Sequence, residues 1–417
     1  MEFLPRTLGT RPRLACEVRA EGVVAARAED ASAVLSAVSR VPLAEGLLVP
    51  RLRLGIAPGG ASPAIASGPA ANSSSNGASR NLGAGTGPHT PDRAIIVAAV
   101  RKALESVALR TREVTLVVPD AAVRVLLLDF DALPGKPAEA LPVVRFRLKK
   151  LLPFDADDAA ISYQMMTASN GIVRVVAVAM PREVLTEYEA VIREAGFEPG
   201  AVLPSTLAAL AGLPEGETPV LVVNAGRQGV TTAIVKAGVL LLHRTVDLGA
   251  NFTADFSASD LPPAELVVRL PLVDRAASAE EWSRQEPAGF RGPADAADAV
   301  QTALLETEIA QEIAREIIQE VAAERGIAAA TSEVAQAVSV AAAYFEDTLQ
   351  TEPRVVLATG TMGAQALAAL LECAGVGHMP VEEMVDAGML GPGAASAGAS
   401  GRVPMGWLAG VRGALAN

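Results

Sequence analysis

The run Leu221-Val222-Val223-Asn224-Ala225-Gly226-Arg227-Gln228-Gly229-Val230-Thr231-Thr232 decides how this chain is read. An apolar stretch, a turn of small and polar residues and a second β-branched stretch describe a strand, a tight turn and a returning strand. The backbone amides of such a turn can face an anion. A further run over 239–246, after Ala237-Gly238, extends the hairpin into a three-stranded antiparallel meander. Toward the C-terminus, a buried-type strand at 354–358 passes through Thr359-Gly360-Thr361-Met362-Gly363 into a helix running to 371. Strand, glycine turn and helix start again make a geometry suited to anions. Near the N-terminus, Leu14, Cys16 and Val18 alternate, Ala20-Glu21-Gly22 forms a turn, and Val23-Val24 begin a return strand. The order hairpin, meander, glycine turn predicts that all three converge on one cleft between two halves of the molecule.

The segments between these landmarks are read from their periodicity. Residues 34–41, ahead of Pro42, read as a strand, and 91–109 as a helix. The stretch 57–92, rich in Gly, Ala, Ser and Pro, has too little to bury to offset its ordering entropy and reads as a disordered insertion. Runs at 113–118 and 123–130, separated by Pro119-Asp120, read as a strand-turn-strand pair. A helix is expected over 143–152, bounded by Pro142 and Pro153, with Arg145, Arg147, Lys149 and Lys150 on a solvated face. Strands at 160–165 and 172–180 lead to a helix whose stripe is Val184, Leu185, Tyr188, Val191 and Ile192, ending at Gly196. Together 94–197 reads as an α+β unit. A loop-rich connection at 257–293 precedes two helices, one at 294–325 with Leu305, Ile309, Ile313, Ile317 and Val321 four apart, and one at 332–349. A low-complexity loop and a short closing helix at 405–415 end the chain.

Composition excludes several functions. With 417 residues the chain is long enough for several structural units, and with 3% aromatic content Ala, Val and Leu must supply the packing. A formal net charge of −12 opposes phosphate-backbone binding, so nucleic acid is not an expected partner. Cys16 and Cys373 lie far apart with no secretory signal ahead of them, and both are expected as buried apolar thiols in a reducing compartment. No uninterrupted apolar run approaches the ~20 residues that cross a bilayer. Three histidines, His89, His243 and His378, without a His/Cys cluster, leave no expected zinc site or serine triad. No GxxxxGK[ST] loop is present, and Gly55-Ile56-Ala57-Pro58-Gly59-Gly60 is linker composition.

Leu151-Leu152-Pro153-Phe154-Asp155 running into Ala160-Ile161-Ser162-Tyr163-Gln164 resembles a segment of the type IV pilus assembly protein family PilM, relatives of the division protein FtsA. Arg193-Glu194-Ala195-Gly196-Phe197-Glu198-Pro199, the 222–252 stretch with His243-Arg244 and Leu248-Gly249-Ala250-Asn251-Phe252-Thr253, and 355–371 are similar to further segments in the same order. The resemblance implies an α/β, actin-like ATPase (ribonuclease H-like) two-lobed fold with an inserted α+β subdomain. The corresponding division is 1–56 for the first part of lobe 1, 57–92 for the insertion, 93–197 for the subdomain and return to lobe 1, 198–384 for lobe 2, 385–401 for a loop and 402–417 for a closing helix. It further implies a cytosolic scaffold, peripheral to the inner membrane, that takes the N-terminal peptide of a PilN-like membrane protein and through it meets a PilO-like protein and the pilus motor.

A nucleotide, ATP with Mg, is implied between the lobes, with Glu17, Asn224, Gly226, Gly229, Thr231, Gly249, Gly360, Thr361 and Gly363 as candidate contacts and no catalytic or metal-ligating residue assigned. The family's first Asp-x-Gly reads Cys16-Glu17-Val18 and its second Asn224-Ala225-Gly226, Thr231 falls one residue late, and a double-glycine turn has become 359–363. Without that first glycine the backbone approaches a phosphate less closely, and an amide in place of a carboxylate weakens a Mg²⁺ site. A pseudo-ATPase scaffold is therefore the expectation, with an ATP-binding switch as its alternative. A secretion-system relative of the GspL type continues into a transmembrane helix, and FtsA ends in a basic amphipathic helix that 403–417 does not supply.

Overall fold

The computed structural model describes residues 12–30, 32–44, 47, 90–169, 172–214, 216–248, 330–377, 379–392, 394 and 403–416. The expected helix at 294–325, Gly249, His89, His378 and nearly all of the 57–92 insertion lie outside the described residues.

Three strands open the chain, β1 (Leu14–Arg19), β2 (Gly22–Ala28) and β3 (Leu35–Pro42), followed by α1 (Thr90–Val107) and β4 (Glu113–Val118). Next come β5 (Arg124–Phe130), α2 (Pro137–Leu148), β6 (Ala159–Ser169), β7 (Ile172–Pro181), α3 (Arg182–Glu194), β8 (Glu198–Pro204) and α4 (Ser205–Ala211). The second half begins with the meander β9 (Val220–Gly226), β10 (Gly229–Lys236) and β11 (Val239–Asp247). It continues with α5, described over 330–349, then β12 (Val356–Gly360), α6 (Gly363–Cys373), β13 (Val381–Glu383) and α7 (Ala409–Leu415).

These strands form two five-stranded sheets of identical plan, β3-β2-β1-β4-β8 and β11-β10-β9-β12-β13, and a three-stranded sheet β5-β7-β6. In each large sheet an antiparallel meander is joined at its first strand to parallel strands, β1 to β4 and β9 to β12. The chain is thus a duplication with a small α+β unit inserted into its first half. This is the actin-like, two-lobed architecture.

Alternation along the strands sorts the cores. Leu14, Cys16 and Val18 pack against α1 and α3 on one face of β1, while Ala15 points the other way. In β9, Leu221, Val223 and Ala225 pack toward α5 and α6, while Val222 turns toward the first half. One shared core therefore joins the lobes, built from Ala15, Val117, Leu207, Val222, Ala233 and Val411 among others. α4 and α7, the last helix of each half, lie side by side in it, with Arg412 Nη1 donating to Gly212 O at 2.9 Å. Arg40 of β3 also stacks over Trp407 at 4.1 Å from the ring centre, beside α7.

Several expectations are corrected. β4 and β5 are not a strand-turn-strand pair: β4 sits between β1 and β8, while β5 pairs with β7. The boundary expected at 198 moves beyond α4, because β8 closes the first sheet. The helix expected at 143–152 runs over Pro137–Leu148, with Pro137 in its first turn and Pro142 inside it at an exposed position, where water can take the carbonyl a proline leaves free. Cys16 is buried as expected but Cys373 is exposed. The 57–92 stretch ends earlier than expected, since α1 starts at Thr90.

Candidate functional site

The β1–β2 hairpin closes on the pair Arg19 and Gly22, and the β9–β10 hairpin on Gly226 and Gly229. Both turns hold two residues, so counting back from the closing pair sets Glu17-Val18-Arg19 against Asn224-Ala225-Gly226. The sequence reading that matched Cys16-Glu17-Val18 to the first motif is shifted by one. Glu17 stands where the second half has Asn224, and Arg19 where it has Gly226.

The two hairpins and the glycine turn do meet. Thr361 and Met362 donate their backbone N–H groups to Ala225 O at 2.9 and 3.1 Å, which ties the turn after β12 to the end of β9. Gly360 has φ +95°, and a Cβ there would lie 2.3 Å from Ala225 O, so only glycine lets this turn sit against the hairpin. Between the halves lies a cavity of about 50 Å³ lined by Arg19, Glu21, Asp120, Ser205, Asn224 and Thr231, together with Gly226 and Gly229.

Three carboxylates, Glu17, Glu21 and Asp120, and one guanidinium, Arg19, meet in this cleft. Glu17 is fully buried, and Arg19 is 7% exposed. Arg19 Nη2 lies 2.6 Å from Glu17 Oε1 and donates to Ser205 Oγ at 2.8 Å, while Nη1 reaches Asn224 Oδ1 at 3.5 Å. Burial pushes the Glu17 carboxyl up, and the Arg19 guanidinium pulls against it. On its far side Glu17 faces Gly410 of α7, where a Cβ would come within 2.5 Å of Oε2. Asp120, just after β4, accepts from Thr206 N at 3.1 Å, from the Thr206 hydroxyl, and from Asn224 Nδ2 at 3.1 Å. Asn224 therefore joins the halves: its oxygen faces Arg19 and its amide hydrogens face Asp120, Ser205 and Thr206.

At the rim, Glu21 Oε1 accepts from the Arg227 backbone N–H at 2.6 Å and from the Thr361 hydroxyl at 3.1 Å. Thr231 shares a hydrogen bond with Thr245 at 3.0 Å. Gly363, at φ +75°, opens α6, whose Ala364 N–H donates to Glu383 Oε1 at 2.7 Å, and burial raises the Glu383 carboxyl. Of the residues expected at the site, Asn224, Gly226, Gly229 and Thr231 line the cavity. Thr361 touches Glu21 at its rim, Glu17 lies behind Arg19, and Gly360 and Gly363 shape the turn.

Arg19, Glu21, Asp120, Ser205 and Thr206 were not among them. Two signals pointed there: a Glu and an Arg two apart on the inward face of an apolar strand, and Pro204-Ser205-Thr206 as a helix start. In this arrangement the residues present do not fit a nucleoside triphosphate, because the Arg227 N–H and the Thr361 hydroxyl already donate to Glu21 and the Arg19 side chain stands where the second half has the bare backbone of Gly226. Among the described residues no group of acidic, histidine or cysteine side chains is placed to hold a metal, and no helix is long and apolar enough to cross a membrane.

A solved PilM–PilN type IV pilus biogenesis complex is similar to this chain over 97% of its length and 98% of the other's, with 16% identity and a TM-score of 0.57. The cytoplasmic domain of EpsL, an inner membrane component of the type II secretion system of Vibrio cholerae, matches with 14% identity over 66% of this chain and 90% of that one, at a TM-score of 0.33. The ethanolamine utilization protein EutJ from Carboxydothermus hydrogenoformans matches with 12% identity over 100% and 94%, at a TM-score of 0.37. No family model and no curated protein matches the sequence. The fold is therefore shared with the first of these structures along nearly its whole length.

Proposed function

We propose that this chain is a scaffold of a type IV pilus assembly platform, which binds the N-terminal cytoplasmic peptide of a PilN-like inner-membrane protein and does not turn over nucleotide. Through that partner it would lie at the cytoplasmic face of the inner membrane and communicate with a PilO-like protein and the motor. The observation that supports the reading is the end-to-end likeness in fold to a protein solved in a PilM–PilN complex. The side-chain bonds that cross the cleft, Arg19 to Asn224 and Glu21 to the Arg227 N–H and Thr361, agree with a body kept for its shape. An ATP-binding switch is the competing reading, favoured by the glycines retained at 226 and 229. Titration calorimetry with the N-terminal segment of a PilN-like protein from the same organism tests the scaffold reading. Saturable binding in the low-micromolar range is expected, and no heat with that peptide would count against it.

A further inference from the structure

The misfit between this cleft and a nucleotide has a specific form. Glu21, in the turn of the first hairpin, crosses to the second half, where its Oε1 takes the Arg227 backbone N–H at 2.6 Å and the Thr361 hydroxyl at 3.1 Å. A turn amide and a hydroxyl at a glycine turn before a helix are donors that suit a phosphate oxygen, and a carboxylate is the protein's own anion for such donors. Behind it, at the position matching Gly226, the Arg19 side chain fills the space and bonds to Ser205 of the first half and Asn224 of the second.

We propose that Glu21 is a built-in anion clasp: its carboxylate bridges the two lobes through donors that would otherwise serve a phosphate, and with Arg19 it keeps the cleft closed and free of nucleotide. A tethered ligand acts at an effective concentration on the order of millimolar, so a weakly bound nucleotide is outcompeted. The inference rests on the scaffold reading only in treating the cleft as non-catalytic. Its test contains no peptide, so either idea can fail alone.

Equilibrium dialysis of the full chain against Mg²⁺-ATP compares the parent with Glu21→Gln, Glu21→Ala and Arg19→Gly/Glu21→Ala. The parent should bind nucleotide at least about tenfold more weakly than Glu21→Ala, equivalent to ~1.4 kcal/mol, and the double variant should bind more tightly still. Hydrogen exchange at the Arg227 amide gives a second readout that needs no nucleotide: slow in the parent and fast in Glu21→Ala. If Glu21→Ala does not fold, Glu21→Gln takes its place in both measurements, with a smaller gain and partial loss of protection. Parent binding as tight as the variants', no gain in any folded variant, or an unprotected Arg227 amide in the parent would each overturn the clasp.

Discussion

In the first half of the molecule the strand that enters the cleft carries Glu17 and Arg19; in the second half the matching positions hold Asn224 and Gly226. Sheet order and hairpin length are the same, so the backbone does not distinguish them. One duplicated scaffold can present an ion pair on one wall and a neutral amide with a bare backbone on the other. The charged wall reaches across and satisfies the neutral one, Arg19 meeting Asn224 and Glu21 meeting Arg227 N–H and Thr361. The lobes are held together here by side chains of the chain itself.

The most damaging way to break that contrast is to remove the cation. Arg19→Met leaves the fully buried Glu17 without its counter-charge and should cost about 3–5 kcal/mol. Glu17→Gln/Arg19→Met, which makes this strand end neutral like its counterpart in the second half, should recover much of that loss in urea denaturation. A double variant as unstable as the single one would show that the pair is not the source of the effect.

A smaller effect comes from the second half. His243 of β11 is held below its ordinary value by burial, with Asp120 of the first half pulling the other way. The unfolded chain therefore binds this proton more tightly than the native state does. The stability that a neutral His243 contributes is full above the ordinary imidazole value of ~6.5 and is lost as pH falls below that value through the lower one of the folded state. Measured against His243→Gln, the parent should lose stability between neutral and mildly acidic pH, and a parallel pair of curves would remove His243 from the account.

Much of the architecture was legible because strands announce themselves by alternation. The hairpin at Leu14, Cys16 and Val18, the meander from Val220 and the glycine turn at Gly360 were each readable, and they do converge on one cleft. Pairing was harder to read. The runs on either side of Pro119-Asp120 look like a hairpin locally, but their partners, β1 and β7, lie far along the chain in different sheets. β8 escaped notice because Pro199 and Pro204 interrupt its pattern, and with it went α4, which supplies Ser205 and Thr206. Glu17 was visible as a residue type, yet its burial depends on Gly410, almost four hundred positions away, letting α7 lie against it.

The central claim, that internal contacts rather than nucleotide hold the lobes, is tested most directly by a distance between them. Cys373 at the end of α6 is exposed while Cys16 is buried with its thiol pushed far up by burial, so Cys373 accepts a spin label and Glu105→Cys on α1 supplies the second site. Pulsed dipolar spectroscopy should give one narrow distance distribution, unchanged by Mg²⁺-ATP, that broadens in Glu21→Ala. A distribution that shifts or narrows on adding Mg²⁺-ATP to the chain with Glu21 intact would contradict the account.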